Sequence, residues 1–360
     1  MELRQNVDWN DYIELLRQVY RPFSQYRDNN AQLVREIVGD TSLFSRNIAK
    51  SWVGVYDHGK LAAAAVLICS KQKPDYLSLA FFEALYSPTA IHLLLNHAKQ
   101  LAAKWQVPKV VAGLNGHMNY GMGLLCDNFD QPVSFWSSFN PPYYYDVLKQ
   151  TAEQEFALTS FVFDLNSLDF DKFKALFSRL DRRFCYRTAN LKKLNQEMTV
   201  YTDLINGCFV DHPFYWQRTE AENLEMVDAL LPFLRGENLI VAEENGQAAG
   251  YILWHPDFNQ LLSPGQSLSY AALLKYRIGW PKIRRFKIAE IGVLPKYKGS
   301  GLIFGLLREC FRLARSRYQH CESGWIMEDN FLSKNLCSHF SGKEYKHYRV
   351  LEFRSHINSR

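Results

Sequence analysis

One segment of the chain predicts a β-strand that passes through a glycine-containing turn directly into an α-helix. The strand ends at Val293-Leu-Pro295, and helical spacing of apolar residues follows the turn, at Ile303, Leu306, Leu307, Cys310 and Ala314. The first backbone N–H groups of such a helix point outward at the positive end of its dipole. Lys298 adds a positive charge, and Gly299 and Gly301 lack the Cβ atoms that would keep an anion away from the backbone. The segment therefore predicts a pyrophosphate-binding site.

This pattern is neither a Walker phosphate loop nor the dinucleotide-binding glycine motif. It resembles the coenzyme A loop of the GNAT acyltransferase superfamily, Val-x-Pro-x-Tyr-Arg-Gly-x-Gly-Ile-Gly. The matching residues are Val293, Pro295, Tyr297, Gly299 and Gly301. Lys298 replaces the usual Arg or Gln, and Ile303 stands where Gly or Ala is expected. The resemblance implies contacts to the coenzyme A moiety of an acyl-CoA co-substrate from Ile291, Val293, Lys298, Gly299, Ser300, Gly301, Leu302 and Ile303.

The flanking segments follow the order of elements in that superfamily. Residues 238–254 indicate two strands joined by a tight Glu-Asn-Gly-Gln turn. Residues 323–330 indicate a strand, residues 331–340 a helix and residues 344–353 a final strand. We therefore predict an α+β (mixed α/β) fold, in which a mixed, mostly antiparallel sheet is flanked by helices.

An internal repeat accounts for a length of 360 residues, which exceeds the roughly 150 that one such domain needs. Residues 52–67 have the same hairpin form, with Gly59 matching Gly246, and Glu83 and Pro88 are spaced like Glu290 and Pro295. A helix over 90–105 and a strand over 109–115 continue the parallel, but no glycine or basic residue follows Pro88 directly. We predict two tandem GNAT domains: a degenerate N-terminal domain over 1–152 and a C-terminal domain over 153–360 with the acyl-CoA site. A strand over 157–164 is expected to be shared between the halves. The alternative is a chance similarity of two α/β domains.

The composition is that of an ordinary globular protein, with 47% hydrophobic residues. The N-terminus lacks the form of a signal peptide, and seven cysteines without a Cys-x-x-Cys pair predict reduced thiols. We therefore expect a cytoplasmic protein, with no metal site and no permanently bound cofactor. A net charge of +5 suits anionic ligands such as coenzyme A and does not require nucleic acid.

A basic patch precedes the strand that carries Glu290. Its members are Lys275, Arg277, Lys282, Arg284, Arg285 and Lys287. Residues 267–278 before it predict an amphipathic helix, with Leu268, Ala271, Ala272 and Ile278 on its apolar side. The patch is either a solvated surface, a docking site for an acidic acyl carrier protein, or a peripheral contact with the anionic inner membrane.

A narrower resemblance covers most of the chain. Its motifs are Asn119-Tyr120, Gly123-Leu-Leu, Phe139-Asn-Pro-Pro-Tyr-Tyr144, Glu328-Asp-Asn330 and Tyr345-Lys-x-Tyr-Arg349. They resemble a bacterial family of double-GNAT acyl-CoA N-acyltransferases, some of which are linked to acylation of a sphingoid-base amine to form ceramide. The chain departs from that family at Asp127-Asn-Phe, where a glycine is expected before the Phe.

Acyl transfer to an amine needs a base for the amine and a donor for the oxyanion. The candidates for the base are Glu290 and Glu328, and burial of Glu290 beside Trp325 and Phe286 is expected to raise its pKa. Either carboxylate is alternatively a structural group paired with Arg349 or a lysine. The superfamily implies the N–H of Val293 or a neighbour as oxyanion donor, and Asn330 as a ligand of the pantetheine amide. Tyr345 on the last strand is our candidate acid for the departing thiolate, with Tyr348 and His339 as alternatives.

Four further residues are candidate substrate contacts: Asn119, Tyr120, Tyr143 and Tyr144. They belong to aromatic, proline-constrained segments that form either a substrate wall or ordinary packing. The function that fits best is an N-acyltransferase with a medium or long acyl donor, carried by coenzyme A or an acyl carrier protein. An aminoacyl-tRNA-dependent transferase of the peptidoglycan-bridge type and a non-catalytic ligand-binding protein are the alternatives. The coenzyme A loop argues against the former.

Overall fold

The computed structural model describes residues 1–279 and 282–355 and divides the chain into two units. The N-terminal unit comprises Met1–Thr159, Leu262–Leu268 and residues 346–355 of the described chain. The C-terminal unit comprises Ser160–Leu261 and Ser269–Tyr345. The division falls inside the strand at Gln154–Asp164, whereas the predicted boundary lies between residues 152 and 153.

The elements of the first repeat occur in the order that the sequence predicts. They are β1 (Glu2–Gln5), α1 (Trp9–Tyr20), α2 (Ala31–Val38), β2 (Ile48–Asp57), β3 (Lys60–Ser70), β4 (Leu77–Ala84), α3 (Pro88–Lys104), β5 (Lys109–Ala112), β6 (Leu124–Leu125), α4 (Pro142–Leu148) and β7 (Gln154–Asp164). The strand predicted over 109–115 is shorter, because it ends before Gly113, which has a positive φ.

The second repeat has a matching series of elements. They are α5 (Lys174–Asp181), β8 (Cys185–Thr188), α6 (Leu194–Cys208), α7 (Glu220–Asp228), β9 (Leu239–Glu244), β10 (Gln247–Pro256), α8 (Tyr270–Arg277), β11 (Arg285–Val293), α9 (Leu302–Ala314), β12 (His320–Glu322), β13 (Ile326–Met327), α10 (Phe331–His339) and β14 (Lys343–Arg354). The strand predicted over 323–330 is shorter, because only Ile326–Met327 forms a strand there. The extended backbone is interrupted at Ser323-Gly324, where Ser323 Oγ donates to the Gly324 carbonyl at 2.6 Å.

The N-terminal unit is built on a sheet with the strand order β1-β2-β3-β4-β5-β14. Its described pairs are antiparallel except for the parallel pair β4 and β5. The second strand of its hairpin, β3, is buried over almost its whole length because α1 and α3 pack against it. This explains the nearly continuous run of small and apolar residues in β3.

The C-terminal unit repeats this plan with the order β7-β12-β11-β10-β9-β8, and its parallel pair is β11 and β12. Helices α6 and α9 both pack against β10. The mixed, mostly antiparallel sheets flanked by helices confirm the predicted fold class.

The matching hairpin turns support the internal repeat. His58 and Gly59 have φ values of 47° and 77°, and Asn245 and Gly246 have values of 53° and 77°. Two successive residues with positive φ are the signature of a type I′ turn, which favours Gly at its second position.

The repeats exchange their last strands. The end of β7 pairs with β12 in the C-terminal unit, and the end of β14 pairs with β5 in the N-terminal unit. The prediction of a shared strand over 157–164 is therefore confirmed. No helix in the described ranges is both long and apolar enough to cross a membrane.

The basic patch and its helix differ from the prediction. The helix α8 begins after Ser269, whose Oγ accepts a hydrogen bond from the Ala272 N–H, and it buries Leu273. The predicted apolar side is wrong, because Ile278 is 81% exposed and Ala271 is exposed too. Lys287 is buried, and Arg285 pairs with Asp257 at 3.1 Å, so the exposed part of the patch is Lys275, Arg277, Lys282 and Arg284.

Candidate functional site

The turn between β11 and α9 presents backbone N–H groups to solvent. Gly299 and Gly301 have φ values of 78° and 84°, a conformation that L residues with a Cβ rarely adopt. A Cβ built on Gly299 would meet no atom within 4 Å, so the space beside this backbone is open.

Three N–H groups at this turn have no intrachain acceptor among the described residues: those of Gly299, Gly301 and Ile303. The neighbouring N–H groups are already bonded, since Ser300 N donates to the Tyr297 carbonyl and Leu302 N donates to Ser300 Oγ. The three N–H groups lie at the start of a 13-residue helix, an arrangement that favours an anion.

The side chains of this turn differ in their exposure to solvent. Lys298 Nζ lies 3.7 Å from Asp211 Oδ2, and both side chains are largely exposed, so this pair leaves the lysine accessible to a ligand. Leu302 is buried in the core, whereas Ile303 is half-buried beside the open N–H groups.

Strand β11 has an open edge beyond its first three residues. It pairs with β12 only over Arg285–Lys287, whereas it follows β10 as far as Val293. The Leu294 N–H donates to the Ala249 carbonyl, so by the alternation of an antiparallel ladder the N–H groups of Ile291 and Val293 point away from β10. They therefore point to the open edge, where a substrate carbonyl can approach.

The carboxylate of Glu290 lies between β11 and α6. Its Oε2 accepts hydrogen bonds from the hydroxyls of Tyr201 and Tyr251, each at 2.9 Å. Burial raises the pKa of Glu290, and the two hydrogen bonds and the positive charge of Arg218 partly oppose that rise. The raised pKa agrees in direction with the prediction, but the contacts come from these tyrosines. The predicted neighbours contact other rings, Trp325 that of His212 and Phe286 that of Trp254.

Further groups around Glu290 come from α6 and the segment after it. Arg218 is buried, with its Nε donating to Asn223 Oδ1 at 2.7 Å, and Tyr215 donates to Asn206 Oδ1 at 2.6 Å. Cys208 packs where a Cβ of Gly292 would lie. Sequence reasoning missed Tyr201, Tyr251, Tyr215 and Arg218. The available signal was weak: in the strand register, Tyr251 lies two residues from Leu253, which is opposite Glu290.

The other predicted catalytic residues lie in the C-terminal unit in different surroundings. Glu328 is about half exposed and forms an ion pair with Lys334. Tyr345 hydrogen-bonds Arg285, and burial raises its pKa to about 12. Asn330 is exposed and caps α10, its Oδ1 accepting a hydrogen bond from the Ser333 N–H at 3.1 Å. Their catalytic and ligand-binding roles stay predictions.

The four predicted substrate contacts lie in the N-terminal unit. Tyr144 is 1% exposed and Tyr120 is 8% exposed, with its ring 4.3 Å from that of Phe44. Tyr143 donates to the Ala84 carbonyl at 2.6 Å, and the Asn119 N–H donates to His117 Nδ1. These contacts favour packing roles, so substrate binding by the four residues stays a prediction.

A mainly apolar pocket in the C-terminal unit shares Tyr201 with the surroundings of Glu290, and Glu197, Arg235 and Asn238 also belong to its lining. It offers about 50 Å³ of free space between α6, α7 and the start of β9. Its lining includes Tyr201, which bonds Glu290, and Leu253, which pairs with Glu290 across the sheet. The other lining side chains include Leu194, Met198, Val227 and Leu231.

Residues 201–340 match the Acetyltransferase (GNAT) family. The chain is 23% identical over 278 residues to the bacterial ceramide synthase of Caulobacter vibrioides (strain NA1000 / CB15N). The aligned residues cover 74% of this chain and 72% of that protein. It is 22% identical over 280 residues to protein YghO of Escherichia coli (strain K12), which covers 75% and 72%.

A solved tandem GNAT protein from the clavulanic acid biosynthesis pathway has the same fold. It superimposes with a TM-score of 0.56 at 12% identity, covering 99% of each chain. Residues 201–340 therefore match the acetyltransferase (GNAT) family, the chain has a tandem GNAT fold, and this similarity supports N-acyltransferase activity in general.

Proposed function

We propose that this chain transfers an acyl group from a coenzyme A thioester to a primary amine. One observation carries the proposal: a single strand-turn-helix in the C-terminal unit combines a half-buried carboxylate, an open strand edge and three unsatisfied N–H groups. The N–H groups of Gly299, Gly301 and Ile303 bind the pyrophosphate of the donor, and Lys298 adds charge beside it.

The reaction needs one proton acceptor and one oxyanion donor. Glu290 takes the proton of the attacking amine, directly or through a water molecule, as the amine nitrogen bonds to the thioester carbon. The N–H of Val293 donates to the oxyanion of the tetrahedral intermediate, with the N–H of Ile291 next to it on the same edge. The C–S bond then breaks, and the thiolate leaves with a proton from Tyr345 or from solvent.

The apolar pocket favours a lipid-like substrate. Its free space of about 50 Å³ accommodates only a few carbons, so a longer chain would extend out of it or displace side chains. A relative named bacterial ceramide synthase supports the same class of substrate. We therefore propose a medium or long acyl donor and a long-chain amine acceptor. An acyl carrier protein is the alternative donor.

Helix α8 favours peripheral contact with a membrane over docking of a carrier protein. Tyr270, Leu274 and Ile278 are 64%, 45% and 81% exposed and recur at a spacing of one helical turn. Exposed lysine and arginine side chains flank them, at Lys275, Arg277, Lys282 and Arg284. An exposed apolar row with basic neighbours suits an anionic lipid surface, since a carrier protein would need mainly the charges.

Two glutamine variants test the proposal. With palmitoyl-CoA and sphinganine as substrates, we expect Glu290→Gln to lower kcat by about 10²- to 10³-fold and to leave coenzyme A affinity unchanged. Glu328→Gln should change kcat less than about threefold, because Glu328 forms an ion pair with Lys334. Turnover is read as release of free coenzyme A. Equal losses in both variants would argue against Glu290 as the base, and no turnover with any amine would reject the proposed reaction.

A further inference from the structure

The N-terminal unit keeps a carboxylate at the position that corresponds to Glu290. Glu83 lies opposite Ala64 on β3, as Glu290 lies opposite Leu253 on β10. The ladder is irregular next to each glutamate, between Ala64 and Val66 in one unit and between Leu253 and Trp254 in the other. The two strands therefore place their carboxylates in the same way.

Tyrosine hydroxyls hold Glu83, as they hold Glu290. Tyr20 donates to Oε1 at 3.1 Å and Tyr144 donates to Oε2 at 2.9 Å. A carboxylate has about four acceptor positions, so these two bonds leave room for another donor. The residue is partly exposed at the surface.

Aromatic rings cluster around Tyr20, whose hydroxyl bonds this carboxylate. The half-buried ring of Tyr26 stacks on the buried ring of Tyr20 with centroids 3.5 Å apart. Phe139 lies 6.3 Å from each of these rings, and Phe23 lies 5.7 Å from Phe139.

No positive charge balances Glu83 within the described part of the chain. The titratable groups that interact with it are five phenols, which stay neutral, and the Asp28 carboxylate; the phenols are those of Tyr12, Tyr20, Tyr26, Tyr143 and Tyr144. Burial, with a smaller contribution from Asp28, raises the pKa of Glu83 to about 8. Glu290 differs in this respect, because the positive charge of Arg218 acts on it.

The N-terminal unit lacks a counterpart of the glycine turn that is proposed to bind the pyrophosphate. Helix α3 begins with Ser87-Pro88, and Ser87 Oγ accepts a hydrogen bond from the Ala90 N–H. No glycine turn precedes this helix, so it offers no counterpart of the N–H groups at Gly299 and Gly301. The geometry around Glu83 therefore suits binding of a ligand and not transfer from a coenzyme A thioester.

We propose that Glu83, with the rings of Tyr20, Tyr26 and Phe139, forms a second site that binds the ammonium group of a protonated amine. A carboxylate without a counter-ion supplies the charge, and the aromatic faces supply cation–π attraction. This proposal does not depend on acyl transfer, since it concerns the other unit and needs only binding.

Binding at this site is coupled to loss of a proton. At pH 6 the Glu83 carboxyl is protonated, and an ammonium ligand binds its ionised form, so the proton must leave. Affinity should therefore rise about tenfold per pH unit from pH 6 toward pH 8 and level off above the pKa. The five phenols stay protonated across this range, because burial raises the pKa of each of them.

Calorimetric titration of the full chain with n-hexylamine tests the proposal, with 1-hexanol as the neutral control. The Glu290→Gln protein provides the background, which separates this site from the proposed acceptor site. In that background we expect hexylamine to bind about 100-fold more tightly at pH 8.5 than at pH 6, and hexanol to show no such rise. Adding Glu83→Gln should remove the pH-dependent part of the binding.

Tyr26→Leu is the second variant, and it keeps the carboxylate and removes one half-buried ring. We expect it to weaken hexylamine binding about three- to tenfold while the pH dependence remains; it decides the matter if Glu83→Gln does not fold. Equal hexylamine binding with and without Glu83, equal affinity for hexanol, or no effect of Tyr26→Leu would overturn the proposal. Loss of turnover in Glu290→Gln tests the proposed function separately.

Discussion

At the scale of single residues, two opposing effects determine the pKa of Glu290. Burial favours the neutral acid, whereas Tyr201 and Tyr251 each donate a hydrogen bond that favours the carboxylate. A base must be ionised before the amine arrives and must still accept its proton. The two hydroxyls therefore keep a half-buried carboxylate able to act as a base near neutral pH.

Removing one of these hydroxyls should shift the pH dependence of turnover. Tyr201→Phe deletes a bond to the ionised form, so the pKa of Glu290 should rise further above its ordinary value. Activity then falls at a higher pH as the solution is acidified, and the acid limb of kcat/KM should move up by about one pH unit.

Tyr215→Phe is the matched control, because the Tyr215 hydroxyl donates to Asn206 Oδ1 at 2.6 Å. Its acid limb should stay within about 0.3 pH units of the wild type. A shift of the same size in both variants would mean that the hydrogen bond from Tyr201 does not determine the pKa of Glu290.

At the scale of elements, glycine can have two roles in the turn before α9. It tolerates a positive φ, and it leaves room for a ligand beside the backbone. Gly299 and Gly246 have φ values of 78° and 77°, and a Cβ at either would meet no atom within 4 Å. Alanine should therefore cost each about the same stability, about 1–2 kcal/mol of unfolding free energy. Only Gly299→Ala places a methyl group beside the proposed pyrophosphate site.

We expect Gly299→Ala to weaken coenzyme A binding by about tenfold or more, and Gly246→Ala to leave it unchanged. Chemical denaturation measures the two stabilities, and calorimetry measures the two affinities. Wild-type affinity in Gly299→Ala would remove this loop from the donor site.

Helix α8 carries a second prediction at this scale. Leu274→Ser with Ile278→Ser removes exposed apolar surface, so we expect unchanged stability and at least a fivefold loss of binding to phosphatidylglycerol vesicles in sedimentation. Leu332→Ser is the control, since Leu332 on α10 is also 81% exposed but lies outside the basic patch. Equal losses in both proteins, or no binding by the wild type, would contradict a membrane role for α8.

At the scale of the whole molecule, each repeat needs the last strand of the other repeat to complete its sheet. The sheet of the N-terminal unit includes the end of β14, and the sheet of the C-terminal unit includes the end of β7. A cut between residues 152 and 153 therefore removes β14 from the edge of β5.

The fragment 1–152 should not fold cooperatively alone, because its β5 edge and the apolar side chains that β14 covers would be exposed. Thermal unfolding followed by circular dichroism checks this against the full chain. Co-expression of 1–152 with 153–360 should restore a folded complex. A sharp transition in the isolated fragment would show that the exchange is dispensable.

The sequence by itself determined the features that depend on short stretches of backbone. Positive φ at the turns of both hairpins and at the turn before α9 falls on Gly59, Gly246, Gly299 and Gly301, and glycine accepts that conformation without strain. Helical spacing predicted α9 and α10 within a residue or two of their observed ends. The repeat followed from these local signals in the same order.

Only the tertiary structure decided which side chains meet. Tyr201 bonds Glu290 from a position 89 residues earlier in the chain, and Tyr20 bonds Glu83 from 63 residues earlier. Such contacts depend on sheet register and on the rotation of a helix over the sheet, to which a single sequence contributes no local signal. The predicted apolar side of α8 was wrong for this reason, and the tyrosines that bond Glu290 were missed. Spacing along one element constrains which residues share a face, but packing against other elements decides which face is covered.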